Sequence, residues 1–436
     1  MRRVAVIGSG IAGLSVAHGL AGQARVSLFE AGSHFGGHTH TVDLTLDGVT
    51  HGVDTGFLVL NERTYPNLLR LFDALGVEIA KSEMSFSVQV PDVGLEWSGC
   101  DLNAVFAQRR NLLRPGFWRM LSDLLRFNRL ATALANSGRA DDLDQPIGDW
   151  LAQHRFSAEF RDWYFLPMIG CIWSCPVDQM LRFPIATMLR FCHNHGLLQI
   201  ADRPQWYTVR GGARNYVRKM LQSIPDARLN TPVRSVRRAR AGAADASVLV
   251  STDTGTEHFD ALVLACHSDQ ALALLADASE AESAVLGAIR YQRNRALLHT
   301  DTSVLPTRRK AWAAWNYERA AQGPREQASV CLHYLLNRLQ PLPFTTPVVV
   351  SLNPVHEPRT DAVHAEFDYA HPVFDTAAIA AQRRVPELQG GRHTWFCGAW
   401  TRYGFHEDGL ISGLAVVDAL RSTWSAARLE PVREAA

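Results

Sequence analysis

The sequence predicts an α/β protein: a doubly wound, Rossmann-like domain built from three segments, with a second, mixed α+β domain inserted twice. Two observations predict it. A short strand, a glycine-rich turn and a helix recur in three separated stretches, and the two blocks between those stretches differ in character. The length of 436 residues suits two or three domains or one large domain interrupted by another.

The first stretch reads as a compact βαβ unit. Arg3–Ile7 is a β-branched and apolar run, residues 11–22 have helical spacing, and residues 25–30 (RVSLFE) form a second strand. In the second stretch Gly211 and Gly212 open a helical segment, RNYVRKMLQSI, followed by strand signals near Val233, Val248 and Val263. The third stretch has a short strand at residues 394–397 (TWFC), a glycine-rich turn, and a helix from about Leu410 to Leu420. Residues 61–204 are instead helix-rich and aromatic, with few strand signals. Residues 291–389 mix strand and helix signals, broken by prolines at 341, 343, 347 and 354. The expected division is therefore 1–60, 205–290 and 390–436 for the doubly wound domain, and 61–204 with 291–389 for the other.

Composition narrows the function classes. Hydrophobic residues are 47 % and charged residues 20 %, ordinary for a folded chain. The net charge of +1 leaves no global basic footprint for nucleic acid. Mean hydropathy is −0.08, and no apolar run approaches the roughly 20 residues of a membrane-spanning helix. The glycines and strand-like VAVI at the start argue for a folded βα unit rather than an export signal. Seven cysteines, an odd number in a long chain, do not form a secreted disulfide framework, so a cytoplasmic location is expected.

Gly8, Gly10 and Gly13 form G-x-G-x-x-G directly after a strand and at the mouth of a helix. The first glycine allows a tight turn, the second lets a pyrophosphate approach the backbone, and the third lets helix and strand pack closely. The N–H groups of the helix start, from Ser9 through Ile11 and Ala12, then face the phosphates with a partial positive charge. Glu30, followed by Ala31, ends the second strand 20 residues after Gly10, where a carboxylate accepts from ribose hydroxyls. A dinucleotide site is expected. Gly36-Gly37-His38-Thr39 and the VDTGF segment at residues 53–57 follow, where adjacent glycines let backbone lie against a ligand. That extra cover suits a flavin reaching into a second domain.

Longer motifs carry a resemblance. They include YPNLLRLFDALG (65–76), EMSFSV (83–88), CIWSCP (171–176), FCHNHGLLQ (191–199) and RPQWYTVRGG (203–212). NRLQPL (337–342), HPVFD (371–375) and FCGAWTRYGFHEDGLISGL (396–414) complete the series. The chain resembles the flavin amine oxidase and phytoene desaturase superfamily. It is most similar to predicted FAD-binding oxidoreductases that occur alone in bacteria and ahead of the methyltransferase in plant cyclopropane fatty acid synthases. The resemblance implies an amine oxidase-like fold, a Rossmann-like FAD-binding domain and non-covalent FAD. It places Gly36, Gly37 and Thr39 beside the pyrophosphate, with His38 where arginine is usual. Gly56 and Phe57 match the loop near the flavin, and Val233 the position whose backbone contacts adenine. Gly398 and Ala399 match the C-terminal turn, and Gly409, Leu410 and Ile411 the helix start facing the flavin pyrimidine edge.

The chemistry expected is hydride transfer to or from a hydrophobic carbon chain, with an unsaturated or methyl-branched phospholipid acyl chain as substrate. Two readings compete: a soluble amine oxidase, and a non-catalytic flavin-binding partner of a lipid methyltransferase. The lysine that amine oxidases commonly place near flavin N5 has one candidate, Lys310, in a solvated-looking loop. His406 is the first choice of proton acceptor, because an unperturbed imidazole titrates near 6.5. Glu407 and Asp408 beside it also read as helix caps. Cys171, Cys175, Cys192, His193 and His195 do not follow a common zinc spacing and read as packing, so no metal is expected.

The segment Ala104–Ser137 carries Arg109, Arg110, Arg114, Arg119, Arg126 and Arg129 against the single acid Asp123. Pro115 suits a first helical turn, and Phe117, Trp118, Leu121, Leu124, Leu125 and Leu130 approximate one apolar face. A basic amphipathic helix with Trp and Phe predicts peripheral contact with an anionic membrane. A solvated helix surface is the alternative.

Overall fold

The computed structural model describes residues 1–137, 145–173, 176–199, 203–239, 247–320 and 330–429. A five-stranded parallel sheet runs in the order Asp226–Arg228, Arg25–Phe29, Arg3–Ile7, Ala261–Leu264, Thr394–Phe396. Its strands come from three distant stretches, and each interior strand is buried on both faces, as continuous runs such as VAVI and ALVL require. The Ile11–Gly19 helix is buried nearly all round. It packs on the Arg3–Ile7 strand and against the last helix, His406–Leu429. That closeness needs glycine: a Cβ at Gly413 would stand 2.0 Å from Ser15 Oγ. The last helix begins four residues ahead of the expected Leu410, because Asp408 Oδ2 accepts from the Phe405 amide at 3.0 Å and closes the first turn.

The second sheet has seven strands in the order Val363–Val373, Arg290–His299, Val349–Leu352, Cys331–Leu335, Trp315–Glu318, Phe86–Val90, Leu95–Ser98. All its pairs are antiparallel except Trp315–Glu318 with Phe86–Val90. The block read as helix-rich thus contributes two strands to this sheet, and Ile79–Ser82 pairs with Trp206–Val209 elsewhere. Helices Pro115–Asn136, Leu166–Trp173 and Ile185–Asn194 supply the aromatic core beside it. One face of the seven-stranded sheet joins this core through Val88, Tyr317, Leu332 and Val350. Along its other face lies a buried polar row, Ser87, Asn316, His333, Ser351 and His299.

Candidate cofactor and substrate site

A cavity of about 1510 Å³ runs from the glycine turn at Gly8–Ala12 to the far helix, where Leu121, Leu124 and Asn128 of Pro115–Asn136 close it. A single-ligand pocket usually spans about 300–1,000 Å³, so this one has room for a cofactor and a second molecule.

The glycines divide their work as the motif predicts. A Cβ on Gly13 would lie 1.9 Å from the Gly8 carbonyl oxygen, so this glycine fixes helix against strand. A Cβ on Gly10 would meet nothing within 4 Å and would occupy the open cradle. Gly36 donates to Ser9 O at 3.1 Å, and a Cβ on Gly37 would come within 3.1 Å of Gly10 Cα. The second glycine pair therefore roofs the first turn. Glu30 Oε2 accepts from the Ser9 amide at 3.0 Å, and Oε1 from the Gly32 amide at 2.8 Å. Oε2 also accepts from the Ser9 hydroxyl at 2.5 Å, so it is Oε1 that keeps a second lone pair for a ribose hydroxyl. An open cradle, a helix start and a terminal carboxylate fit the phosphates and ribose of FAD.

The wall beyond the turn is built from histidines and aromatics. His38 Nε2 is shielded from solvent and has no hydrogen-bond partner among the described residues, so it is available to a bound molecule. Burial, reinforced by His371 and His267, pushes its pKa well below 6.5. His38 therefore does not supply the permanent charge of the arginine it replaces. Nδ1 of His371 lies 2.8 Å from the Asn294 amide nitrogen, which can only donate. Its Nε2 consequently carries the ring proton. His267 stacks on Tyr291 with centroids 4.3 Å apart.

Thr39 is buried and does not line the cavity; it hydrogen-bonds the Tyr216 hydroxyl, which occupies Nε2 of His406 at 2.7 Å. His406 in turn stacks on Phe57, 3.9 Å between centroids. Burial lowers its pKa to about 3. This corrects the expectation for His406: the imidazole is neutral with its Nε2 taken, so it lacks the near-neutral titration for which it was singled out. Glu407 caps a different helix from the one expected. Its carboxylate accepts from the Asn67 amide at 2.9 Å, Asn67 Nδ2 at 2.6 Å and the Leu68 amide at 2.9 Å, at the start of Pro66–Leu75.

Of the other expected residues, Ser9, Ile11, Ala12, Ala31, Gly56, Val233, Gly398, Ala399 and Gly409 line the cavity. Leu410 is buried beneath it, and Ile411 faces a smaller neighbouring cavity. None of Lys81, Lys219 and Lys310 lines the main cavity, and Lys310 is exposed. Sequence reasoning missed His267, His371, Tyr369 and Arg293, which reach the cavity from separate strands and loops and share no local pattern.

Of the cysteines and histidines around residue 171, Cys171 and His195 line the cavity. Cys192 Sγ lies 3.5 Å from Met188 Sδ, and His195 stacks on Phe191 at 3.9 Å. Cys175 lies outside the described residues. Helix Pro115–Asn136 forms as expected with Pro115 in its first turn, but its apolar residues do not share one face. Phe117 enters the core, Leu121 and Leu124 line the cavity, and Trp118 and Leu125 are 49 % and 47 % exposed. The arginine charge is partly answered, since Arg119 pairs with Glu159 and Arg126 with Asp123.

Among solved structures, the CLA-producing fatty acid isomerase from P. acnes is similar over 97 % of this chain and 98 % of its own, with TM-score 0.68 and 17 % identity. Cyclohexylamine oxidase from Brevibacterium oxydans IH-35A matches over 97 % and 99 %, with TM-score 0.66 and 16 % identity. Wild-type putrescine oxidase bound to putrescine gives 97 % and 99 %, with TM-score 0.66 and 15 % identity. No curated protein matches the chain significantly. At these identities the likeness shows a shared fold. The family model described as flavin containing amine oxidoreductase matches residues 11–329, well over half of the chain. With that match and a cradle that fits FAD, the chain belongs to the flavin containing amine oxidoreductases and is an FAD-dependent oxidoreductase.

Proposed function

We propose that this oxidoreductase acts on a hydrophobic carbon chain, an acyl chain of a membrane lipid, drawn into the cavity from the cytoplasmic leaflet. The carrying observation is the course of the cavity. It leaves the glycine turn, passes Phe86, Trp97 and Tyr164, and ends on the Pro115–Asn136 helix. Beside that end lies a patch of exposed apolar residues: Leu102, Leu112, Leu113, Trp118 and Leu125. Trp118 Nε1 donates to Leu112 O at 2.9 Å, so the helix and the preceding turn present one surface. Arg109, Arg110, Arg114 and Arg129 have no carboxylate partner among the described residues. Exposed leucine and tryptophan among unanswered arginines suit an anionic interface, where each cation contributes about 1 kcal/mol. Among the described residues no helix is long and apolar enough to cross a membrane, so the contact proposed is peripheral.

FAD, held without a covalent bond, supplies hydride acceptance or donation. The chain's own part is to bind, orient and keep water away. Trp97, Leu121, Leu124 and Met168 would hold an acyl segment by dispersion. Amine oxidation is the second reading, favoured by the family match. It needs a partner for an ammonium, and the carboxylates among the lining residues are Glu30, beside Ser9, and the exposed Asp368.

Anaerobic mixing tests the proposal. Flavin bleaching by unsaturated or methyl-branched phospholipid supports it, and bleaching by putrescine or cyclohexylamine with none by lipid replaces it with amine oxidation. Bleaching by neither, with tight binding to a lipid methyltransferase, would make the chain a non-catalytic partner. Flotation with anionic liposomes at low and high salt tests the surface. Trp118→Glu with Leu125→Glu should abolish flotation while leaving FAD content unchanged.

A further inference from the structure

On the face of the seven-stranded sheet turned away from the cavity, three potential metal ligands converge. His333 Nε2 lies 3.2 Å from Glu318 Oε2 and 3.4 Å from Cys331 Sγ, and Sγ lies 4.0 Å from Oε2. All three residues are buried. Cys331 and His333 alternate on one strand, and Glu318 pairs opposite Cys331 on the next, so all three project from the same face. A tetrahedral zinc ion with bonds of about 2.0–2.1 Å to nitrogen and oxygen and 2.3 Å to sulfur has ligand–ligand edges of about 3.3–3.6 Å. The observed edges of 3.2, 3.4 and 4.0 Å bracket that range.

The surroundings orient the imidazole as a metal site requires. His333 Nδ1 lies 2.6 Å from Ser351 Oγ, and His299 Nε2 lies 2.6 Å from the same oxygen. The Asp301 amide donates to His299 Nδ1 at 3.2 Å, which leaves the His299 proton on Nε2, directed at Ser351. Ser351 Oγ has two lone pairs and can accept from both rings. In that arrangement His333 carries its proton on Nδ1 and turns a bare Nε2 lone pair between the carboxylate and the thiol. A ligating histidine held through its other nitrogen by an outer hydrogen bond is the usual construction. At the mouth of the triangle, Nδ1 of the largely exposed His356 lies 3.1 Å from Glu318 Oε1, within reach of the fourth corner.

We propose that Glu318, Cys331 and His333, with His356 closing the fourth position, bind one zinc ion as a structural site separate from the flavin cavity. The ion takes Cys331 as the thiolate and His333 as the neutral imidazole, and the protons these groups give up leave to solvent. The ion would tie strands Trp315–Glu318 and Cys331–Leu335 to the loop carrying His356.

The test uses the FAD-loaded full chain, stripped with a chelator, dialysed against micromolar zinc and analysed for zinc and flavin. About one zinc per chain is expected, with X-ray absorption showing one sulfur neighbour. Cys331→Ser should remove the sulfur, and His333→Gln should lower retained zinc at least tenfold. If those buried variants fail to fold, the surface variant His356→Ala should keep the sulfur neighbour and lose one nitrogen. Flavin content near one per chain certifies each preparation. Less than about one tenth of a zinc per wild-type chain overturns the proposal. So does bound zinc without a sulfur neighbour. In that case Ser351 donates to His333 Nδ1 and the row is a closed hydrogen-bonded chain ending on Glu318.

Discussion

Two glycines of one motif should fail in opposite ways when replaced by alanine. At Gly10 the backbone is extended, with φ −60° and ψ 173°, a conformation alanine accepts. A Cβ there touches nothing within 4 Å, so the fold loses only the preference of a helix N-cap for glycine over alanine, a few tenths to about 1 kcal/mol. The methyl group would nevertheless stand where a pyrophosphate must approach the turn. Displacing the phosphate from one charge-assisted amide contact costs about 1.5–3 kcal/mol, or roughly 10- to 150-fold in FAD affinity. At Gly13 the Cβ would lie 1.9 Å from the Gly8 carbonyl oxygen, more than 1 Å inside any permitted contact. Helix Ile11–Gly19 must then lift from the strand. Overpacking of that kind costs about 1–3 kcal/mol and can cost more, exceeding the roughly 1 kcal/mol that alanine returns in a helix interior. Thermal unfolding of the apoprotein and titration with FAD separate the two effects. Gly10→Ala should unfold near the wild-type temperature and bind FAD at least tenfold more weakly, whereas Gly13→Ala should already be destabilised without cofactor. Wild-type FAD affinity in Gly10→Ala would refute the placement of the pyrophosphate at this turn.

Four further outcomes follow from charges away from the turn. Arg238 is fully buried and pairs with Glu282 and Asp277, so Arg238→Ala should destabilise the chain by about 3 kcal/mol in denaturant titrations, because buried Glu282 then keeps only its contact with Arg392 at 3.2 Å. Hydrogen bonds from Arg238 and the Ser279 amide outweigh burial and hold the Glu282 pKa at about 2, below its usual 4.5. This depressed value contributes stability that is full above pH 4.5 and is lost as pH falls towards 2, about 3 kcal/mol in all, and Glu282→Gln should flatten that acid limb. Glu407→Ala should cost about 2–3 kcal/mol in thermal unfolding, since two amides at the start of Pro66–Leu75 lose a charged acceptor. His406, with a pKa of about 3, is neutral from pH 5 to 8. The pH profile of kcat/KM should therefore keep its shape in His406→Gln, and loss of a limb near pH 6–7 in that variant would restore the imidazole as a proton acceptor.

What could be read from the sequence was what neighbours in the chain decide. The turn at Gly8–Gly13, the carboxylate at Glu30 and the helix beginning at Pro115 each rest on local geometry, and the structure places all three as that geometry requires. The strand Phe86–Val90 pairs locally with Leu95–Ser98, but its place in the sheet depends on Trp315–Glu318, more than two hundred residues away; the Ser87–Asn316 side-chain bond spans 229 positions. Its sequence, FSVQV, is short, and its alternation becomes meaningful only once the opposite strand supplies an aromatic face and a polar face. Histidine chemistry depends on distant residues in the same way. Burial lowers the His406 pKa, and the Tyr216 hydroxyl that meets its Nε2 comes from 190 residues away. Among the described residues, the cysteines and histidines close in sequence around residue 171 do not make a set of metal ligands: Cys192 and His195 turn to Met188 and Phe191. The set that converges joins Cys331 and His333, two residues apart on a strand, to Glu318 across the sheet. In a strand, alternation points the first two the same way, so two corners of that triangle are present in the sequence as C-x-H. The third corner, Glu318, is a matter of register, which the sheet sets through pairings that no local pattern encodes.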